Sequence, residues 1–245
     1  MSYQWRWGVF LDPVPSGGGT YLGWMIAGLE MTVAVSLTAW FIALVVGSLM
    51  GVLRTVPNRL LSGIATVYVE VFRNIPLLVQ LFIWYFVVPE LVPGPLGNAM
   101  KRANPLVQQF LASMFCLGLF TAARVCEQVR AGIESLSRGQ RSAALALGLT
   151  LPQTYRCVLM PMAFRIIVPP LTSELLNIFK NSAVASTIGL LELAAEGRQL
   201  VDYTAQPYES FIAVTLAYVA INAVMLVMRV VEGRARVPGF IGGGR

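Results

Sequence analysis

The chain has 245 residues, 56% of them hydrophobic and 12% charged, with a mean hydropathy of +0.69. An ordinary soluble domain has about 45–50% and about 25%, so a water-soluble globular protein is excluded and lipid is the expected solvent. The absence of histidine excludes imidazole metal sites and histidine-based triads, and the net charge of +6 informs through its distribution rather than its sum.

Residues 1–20 are aromatic and glycine-rich, with Tyr3, Trp5, Trp7 and Phe10 suited to the headgroup zone. The opening MSYQWRWGVF lacks the basic start and apolar run of a cleavable signal, so it is expected to stay on the mature chain. A span needs about 20 apolar residues, and Met31 to Leu53 supplies a charge-free run between Glu30 and Arg54. Gly47 and Gly51 within it form a GxxxG pair that admits a second helix closely.

After the basic loop RTVPNR, the second span is Pro76 to Pro89, short in itself and lengthened by the apolar approach from Ile64 to Phe72. Glu70 and Arg73 stand three apart and are expected to meet on one helical face, either as a helix-end ion pair or as the wall of a polar pathway. Pro76 removes a backbone hydrogen bond beside them. Span three, Leu106 to Ala123, runs on into TAARVCEQVRAGIESLSRGQ, where Arg124, Glu127, Gln128 and Arg130 form a polar stripe. Span four, Ile166 to Leu191, is interrupted by Glu174 and Lys180, and span five is Ser210 to Met228.

Arg54, Arg59, Arg130, Arg138, Arg141, Arg156, Arg229, Arg234 and Arg236 fall in or beside the connections after spans one, three and five. The positive-inside rule then predicts an outer N-terminus and a cytoplasmic C-terminus. The expected organisation is an outer segment over 1–20, a transmembrane domain over 21–233 and a cytoplasmic tail over 234–245. Cys116, Cys126 and Cys157 have no CxxC spacing and are expected to be small core residues.

Between spans three and four the apolar chain breaks off for QRSAALALGLTLPQTYRCVLMP, residues 140–161. Ala143, Ala144, Leu145 and Leu147 form a small apolar strip with Arg138, Gln140 and Arg141 opposite, which predicts a short amphipathic helix ended by Gly148. Thr150 then caps a second helix with Pro152 in its first turn, leading into the membrane at Pro161. A connector needs only a few residues, so the whole segment, 137–161, is expected to be a docking surface for another protein, or else a helix lying on lipid.

In span four, Pro169 and Pro170 are expected to unsettle the helix start. Glu174, Asn177 and Asn181 then share a face that cannot look at lipid cheaply. Lys180, Asn181 and Ser182 are expected to mark a helix break at membrane depth, where backbone donors and a Lys suit a carboxylate.

The block SAALALGLTLPQTYRCVLMP resembles the EAA motif of bacterial ABC-importer permeases, with Ser142 where the family pattern has an acid and with Ala143, Ala144, Gly148 and Pro161 in place. FRNIPLLVQLFIWYF and NIFKNSAVAS resemble stretches of the polar amino acid permeases. YLGW, GLFTAARVCEQVRAGI, PPLTSE and the aromatic N-terminus resemble the glutamate/aspartate importer subunits among them. The resemblance implies an all-α polytopic membrane helix bundle of about five transmembrane helices, the type I permease fold, in a bacterial inner membrane.

It also implies that the 137–161 segment is a coupling helix seated on a dimer of ABC ATPase subunits, through Ser142, Ala143, Ala144, Gly148 and Pro161. A homologous second permease and an extracytoplasmic binding protein complete the implied partners; nucleic acid is not among them. For an acidic amino acid, the implied ligands are Arg124, Asn177, Lys180 and Asn181, with Glu174 toward the ammonium group; alternatively Glu174 pairs with a cation inside the bundle.

No phosphate-binding GxxxxGK[ST] is present, since the two lysines, Lys101 and Lys180, follow Met and Phe. The chain is therefore expected to need no cofactor of its own and to catalyse nothing, ATP being handled by a partner. Two rivals are weaker: an ion-coupled carrier acting alone, for which no internal repeat is visible, and an intramembrane enzyme, for which no nucleophile, base and orienter set is visible.

Overall fold

A computed structural model describes residues 3–15, 17–136 and 138–234, with side chains through residue 224 except that of Arg138. Residues 235–245, nearly all of the expected tail, lie outside it, as do the side chains of Arg229 and Arg234.

Thr20 opens the first helix by accepting a hydrogen bond from the Gly23 N–H at 3.3 Å, and α1 then runs unbroken over Tyr21–Thr55. At 1.5 Å per residue it is about 52 Å long, more than the roughly 30 Å of hydrocarbon. Glu30, which ended the charge-free run in the sequence, is simply an exposed residue within it. The GxxxG expectation holds: a Cβ on Gly47 would come within 2.6 Å of Val125, and one on Gly51 within 2.6 Å of Val129. Those two valines lie on α5, Pro105–Glu134, which Asn104 caps by accepting from the Leu106 N–H at 2.9 Å. Ala39 and Ala43 on α1 and Ala122 on α5 are fully buried, so small side chains let this central pair close backbone to backbone.

The second span is a bent pair. Asn58 caps α2, Arg59–Asn74, and the chain then turns by 104° into α3, Leu77–Leu91. Pro76 forces the break, and Gln80 repairs it by donating Nε2 to the Phe72 and Ile75 carbonyls at 2.8 Å each. Within α3 the turn Ile83–Val87 is a π-helix. A short α4, Gly94–Arg102, leads to α5.

Beyond α5 come α6, Arg138–Ala146, and the long α7, Leu151–Ile188. Contrary to expectation, Pro169 and Pro170 lie in the interior of α7 and do not start it. Flanking residues Ala163, Ile167 and Leu171 are buried in the main core with Val125, Val129 and Tyr155, and that packing holds the helix through the missing hydrogen bonds. The expected break near Asn181 is present in a milder form, as a change to 3-10 winding over Ser182–Ile188 that ends at Gly189, φ +90°. Two helices follow: α8, Leu193–Thr204, and α9, Pro207–Arg234. Among the described residues, four helices are long and apolar enough to cross a membrane, and counting the bent pair as one span gives five. Of the cysteines, Cys116 and Cys126 are buried as expected, whereas Cys157 is exposed.

Candidate functional site

The polar stripe of α5 meets α7. Arg124 Nη1 lies 3.6 Å from Glu174 Oε2, and Gln128, one turn along α5, donates Nε2 to Glu174 Oε1 at 3.1 Å. The Arg124 guanidinium also sits 5.0 Å from the Phe120 ring centroid. Glu174 keeps only 12% of its side chain exposed, whereas Arg124 keeps 41%. A guanidinium has five N–H donors, so the pair forms a buried acceptor facing a partly open, donor-rich surface. The Glu174 Oε2 and Gln128 Oε1 atoms are buried without a hydrogen-bond partner, which leaves acceptor capacity at the same place.

Of the residues expected at this site, the structure brings Arg124 and Glu174 together. Asn177 and Asn181, three and seven residues beyond Glu174, share its side of α7 and are half-buried. Lys180 is exposed and lies about 120° around the helix from Glu174, since six steps of about 100° do not return to the same face. Gln128 belongs to the polar stripe of α5, and its four-residue spacing from Arg124 puts the two on one surface.

A second charge cluster lies nearer the arginine-rich end. Glu127 receives Arg54 from the end of α1 in a direct hydrogen-bonded ion pair, Arg130 Nε at 3.3 Å and Arg73 Nη1 at 4.0 Å. Arg130 also reaches Glu134 at 3.6 Å. This corrects the expected pairing of Glu70 with Arg73: Glu70 instead accepts from Asn74 at 2.9 Å, and Arg73 turns to α5. The spacing of Glu70 and Arg73 permitted contact, but packing brought Glu127 of α5 to Arg73 instead.

The segment 137–161 has the predicted turn chemistry. At Gly148, φ is +86°, a conformation that suits glycine, and the Leu149 N–H reaches back to the Ala144 carbonyl at 3.2 Å to close α6. Thr150 donates both its N–H and its hydroxyl to Gln153 Oε1 at 2.8 Å. Ser142, Ala143, Leu145 and Ala146 are exposed, and Leu147 is 83% exposed. Ala144, expected on the same strip, is buried instead, so the outward surface is narrower than the sequence implied. Tyr155 anchors the start of α7 to the end of α1 by donating its hydroxyl to the Thr55 carbonyl at 2.7 Å. Pro161 is exposed within the continuous helix.

A model of the family described as binding-protein-dependent transport system inner membrane component matches residues 43–237. The chain belongs to that family. The glutamate/aspartate import permease protein GltJ of Escherichia coli strain K12 is 61% identical over 245 residues, covering 99% of this chain and 100% of that protein. The glutamate/aspartate import permease protein GltK of Escherichia coli O157:H7 is 32% identical, over 78% of this chain and 80% of its own length.

Among solved structures, the crystal structure of an amino acid ABC transporter with histidines shares 26% identity at a TM-score of 0.73, over 88% of this chain and 95% of that one. An inward-facing MetNI methionine ABC transporter, 20% identical with a TM-score of 0.64 over 88% and 98%, shows the same fold. The chain is thus a multi-pass membrane subunit with the architecture of ABC-importer permeases.

Proposed function

We propose that this chain is the permease subunit of an ATP-driven importer for glutamate and aspartate. It alternates between outward and inward opening while partner ATPase subunits bind and hydrolyse ATP. The names of the relatives at 61% and 32% identity support the acidic amino acids, and the exposed cationic side of Arg124 suits a carboxylate. Asn177 and Asn181 supply amide groups on the adjoining turns of α7, and Glu174 is held by Arg124 and Gln128 while retaining an acceptor for an ammonium group. Lys180 contributes positive charge from the neighbouring surface.

The observation that carries the proposal is the helix ended by Gly148, which offers Ser142, Ala143, Leu145 and Leu147 to the outside instead of to its own bundle. A cleft on the ATPase dimer receives it. Displacement of α6 passes through the Thr150 cap into α7, which bears Glu174, and through Tyr155 into α1. The grouping of Arg54, Arg130, Arg141 and Arg156 at that end supports a cytoplasmic face there, in a bacterial inner membrane, with the aromatic N-terminal segment outside. A second, homologous permease and an extracytoplasmic binding protein complete the assembly.

The test is to tag the C-terminus, extract the chain in mild detergent and identify what copurifies, with the native sequence and with residues 140–161 scrambled. An ATPase retained by the native chain and lost by the scrambled one is the expected result. A chain that purifies alone in both cases overturns the docking assignment and favours a stand-alone carrier.

A further inference from the structure

The helix α8, outside the spans, is wedged between α1 and α9 and carries a buried carboxyl that the transport reading does not use. We infer that Glu196 is a proton-binding site: with the proton on, its side chain stays in the seam between α1 and α8, and with the proton off it is driven toward water and α8 loosens from α1.

Glu196 is only 6% exposed, and its Oε2 has no hydrogen-bond partner. The seam is tight, since a Cβ on Gly28 of α1 would come within 2.7 Å of Glu196 Cγ and 3.0 Å of the Leu193 Cα. A carboxylate there has no donor at Oε2 to replace its water, a cost that a neutral carboxyl reduces.

The neighbouring Glu192 differs in this respect. It is fully buried, yet it accepts from the Ala194 N–H at 3.1 Å, the Ala195 N–H at 2.9 Å and the Tyr218 hydroxyl at 2.9 Å, with Thr32 Oγ1 at 3.5 Å. Burial raises the pKa of both carboxyls, but hydrogen-bond donors oppose that shift at Glu192, whereas Oε2 of Glu196, one helical turn away, has none.

The titratable groups on the elements around Glu196 are mostly acids and phenols. Glu192 caps α8, which itself carries the acidic Asp202, the basic Arg198 and Tyr203. From α1 come Glu30, exposed, and Tyr21; from α9 come Tyr218 and Glu209, the latter buried and held by the Tyr3 hydroxyl and the Arg6 N–H. The Ser182–Ile188 turn contributes no titratable residue. Burial first, and the Glu192 charge second, push the Glu196 carboxyl up from 4.5 to about 7. Its occupancy therefore changes within the range a cell's surroundings cover. On the orientation proposed above, α8 faces outside, so the seating of this helix follows external pH.

A raised carboxyl pKa stabilises the folded seam fully below about 4.5, and that stability is lost as pH rises to about 7. The test uses the tagged chain with its copurifying partners, comparing native protein with Glu196→Gln between about pH 5 and about 8. Thermal unfolding and hydrogen exchange of the α8 amides are read. Native α8 should exchange about tenfold faster for each pH unit up to about 7, beyond the intrinsic rate change, and then level off. Glu196→Gln should abolish that added dependence.

An equal dependence in both proteins, or none in the native one, overturns the inference. Should Glu196→Gln fold poorly, Glu196→Met carries the same comparison, and if both substitutions unfold the chain at every pH the neutral-carboxyl reading is overturned. The readout needs neither substrate nor ATP hydrolysis, so its failure is distinct from failure of the importer assignment.

Discussion

Arg124 of α5 and Glu174 of α7 meet with 3.6 Å between Nη1 and Oε2, joining two transmembrane helices by opposite charges at a point where Gln128 also binds the carboxylate. The pair is asymmetric, the acid mostly buried and the base partly open. On the proposed function, the more open Arg124 faces the substrate carboxylate, with Glu174 held behind it. Replacing Arg124 with Ala should raise the KM for glutamate uptake about tenfold, equivalent to roughly 1.4 kcal/mol, as measured in proteoliposomes holding the whole importer. Unchanged transport kinetics would remove Arg124 from the pathway. The double change Arg124→Gln with Glu174→Gln should recover thermal stability without recovering affinity, because it removes the buried unpaired charge but not the missing cation.

The exposed surface of α6 ends at Gly148, where no atom stands within 4 Å of the place a Cβ would take. Gly148→Asp should therefore leave insertion and yield intact while placing a charge on the docking surface and a side chain in left-handed backbone, at about 1–2 kcal/mol. ATP-driven uptake should be lost, and ATPase copurification reduced. Normal uptake by this variant would argue that α6 docks nothing.

Close approach of α1 and α5 rests on glycine. Gly47→Leu would force a side chain into Val125, and overpacking of this kind destabilises by about 1–3 kcal/mol. The variant should melt earlier in detergent than the native chain. Gly63→Ala is the control, because nothing lies within 4 Å of a Cβ there and the position is on a helix, where Ala is favoured over Gly by about 1 kcal/mol. Equal melting of the two variants would disprove the packing argument.

At the 104° bend, Gln80 is the residue that satisfies the carbonyls freed by Pro76. Gln80→Leu keeps the volume and removes both hydrogen bonds, which should cost about 1–3 kcal/mol. Limited proteolysis near residues 74–77 reads the result directly. Cleavage no faster than in the native chain would show that the bend holds without this side chain.

Much of the bundle was legible along the chain. The charge-free run from Met31 to Leu53 and the runs from Leu106 and Ser210 lie in three of the long apolar helices, because insulation of the backbone from lipid requires little more than length and apolarity. The turn at Gly148 and the cap at Thr150 were equally legible, being local matters of φ and hydrogen bonding. The continuity of α7 through Pro169 and Pro170 was not, because the burial of Ala163, Ile167 and Leu171 that sustains it comes from residues far away in sequence. Nor was the inward turn of Ala144, which depends on what the bundle sets beneath α6.

By itself the sequence determined a multi-span membrane protein with a polar segment between spans three and four and an acidic and basic stripe on those two spans. Composition, periodicity and turn residues act within a few positions of one another, so they survive being read in one dimension. Tertiary structure alone decided the partners: Glu127 for Arg73 in place of Glu70, Glu174 for Arg124, and an unpartnered seam for Glu196. A charge at membrane depth takes whichever opposite group packing delivers within about 4 Å, and that choice is made between helices whose sequences lie far apart.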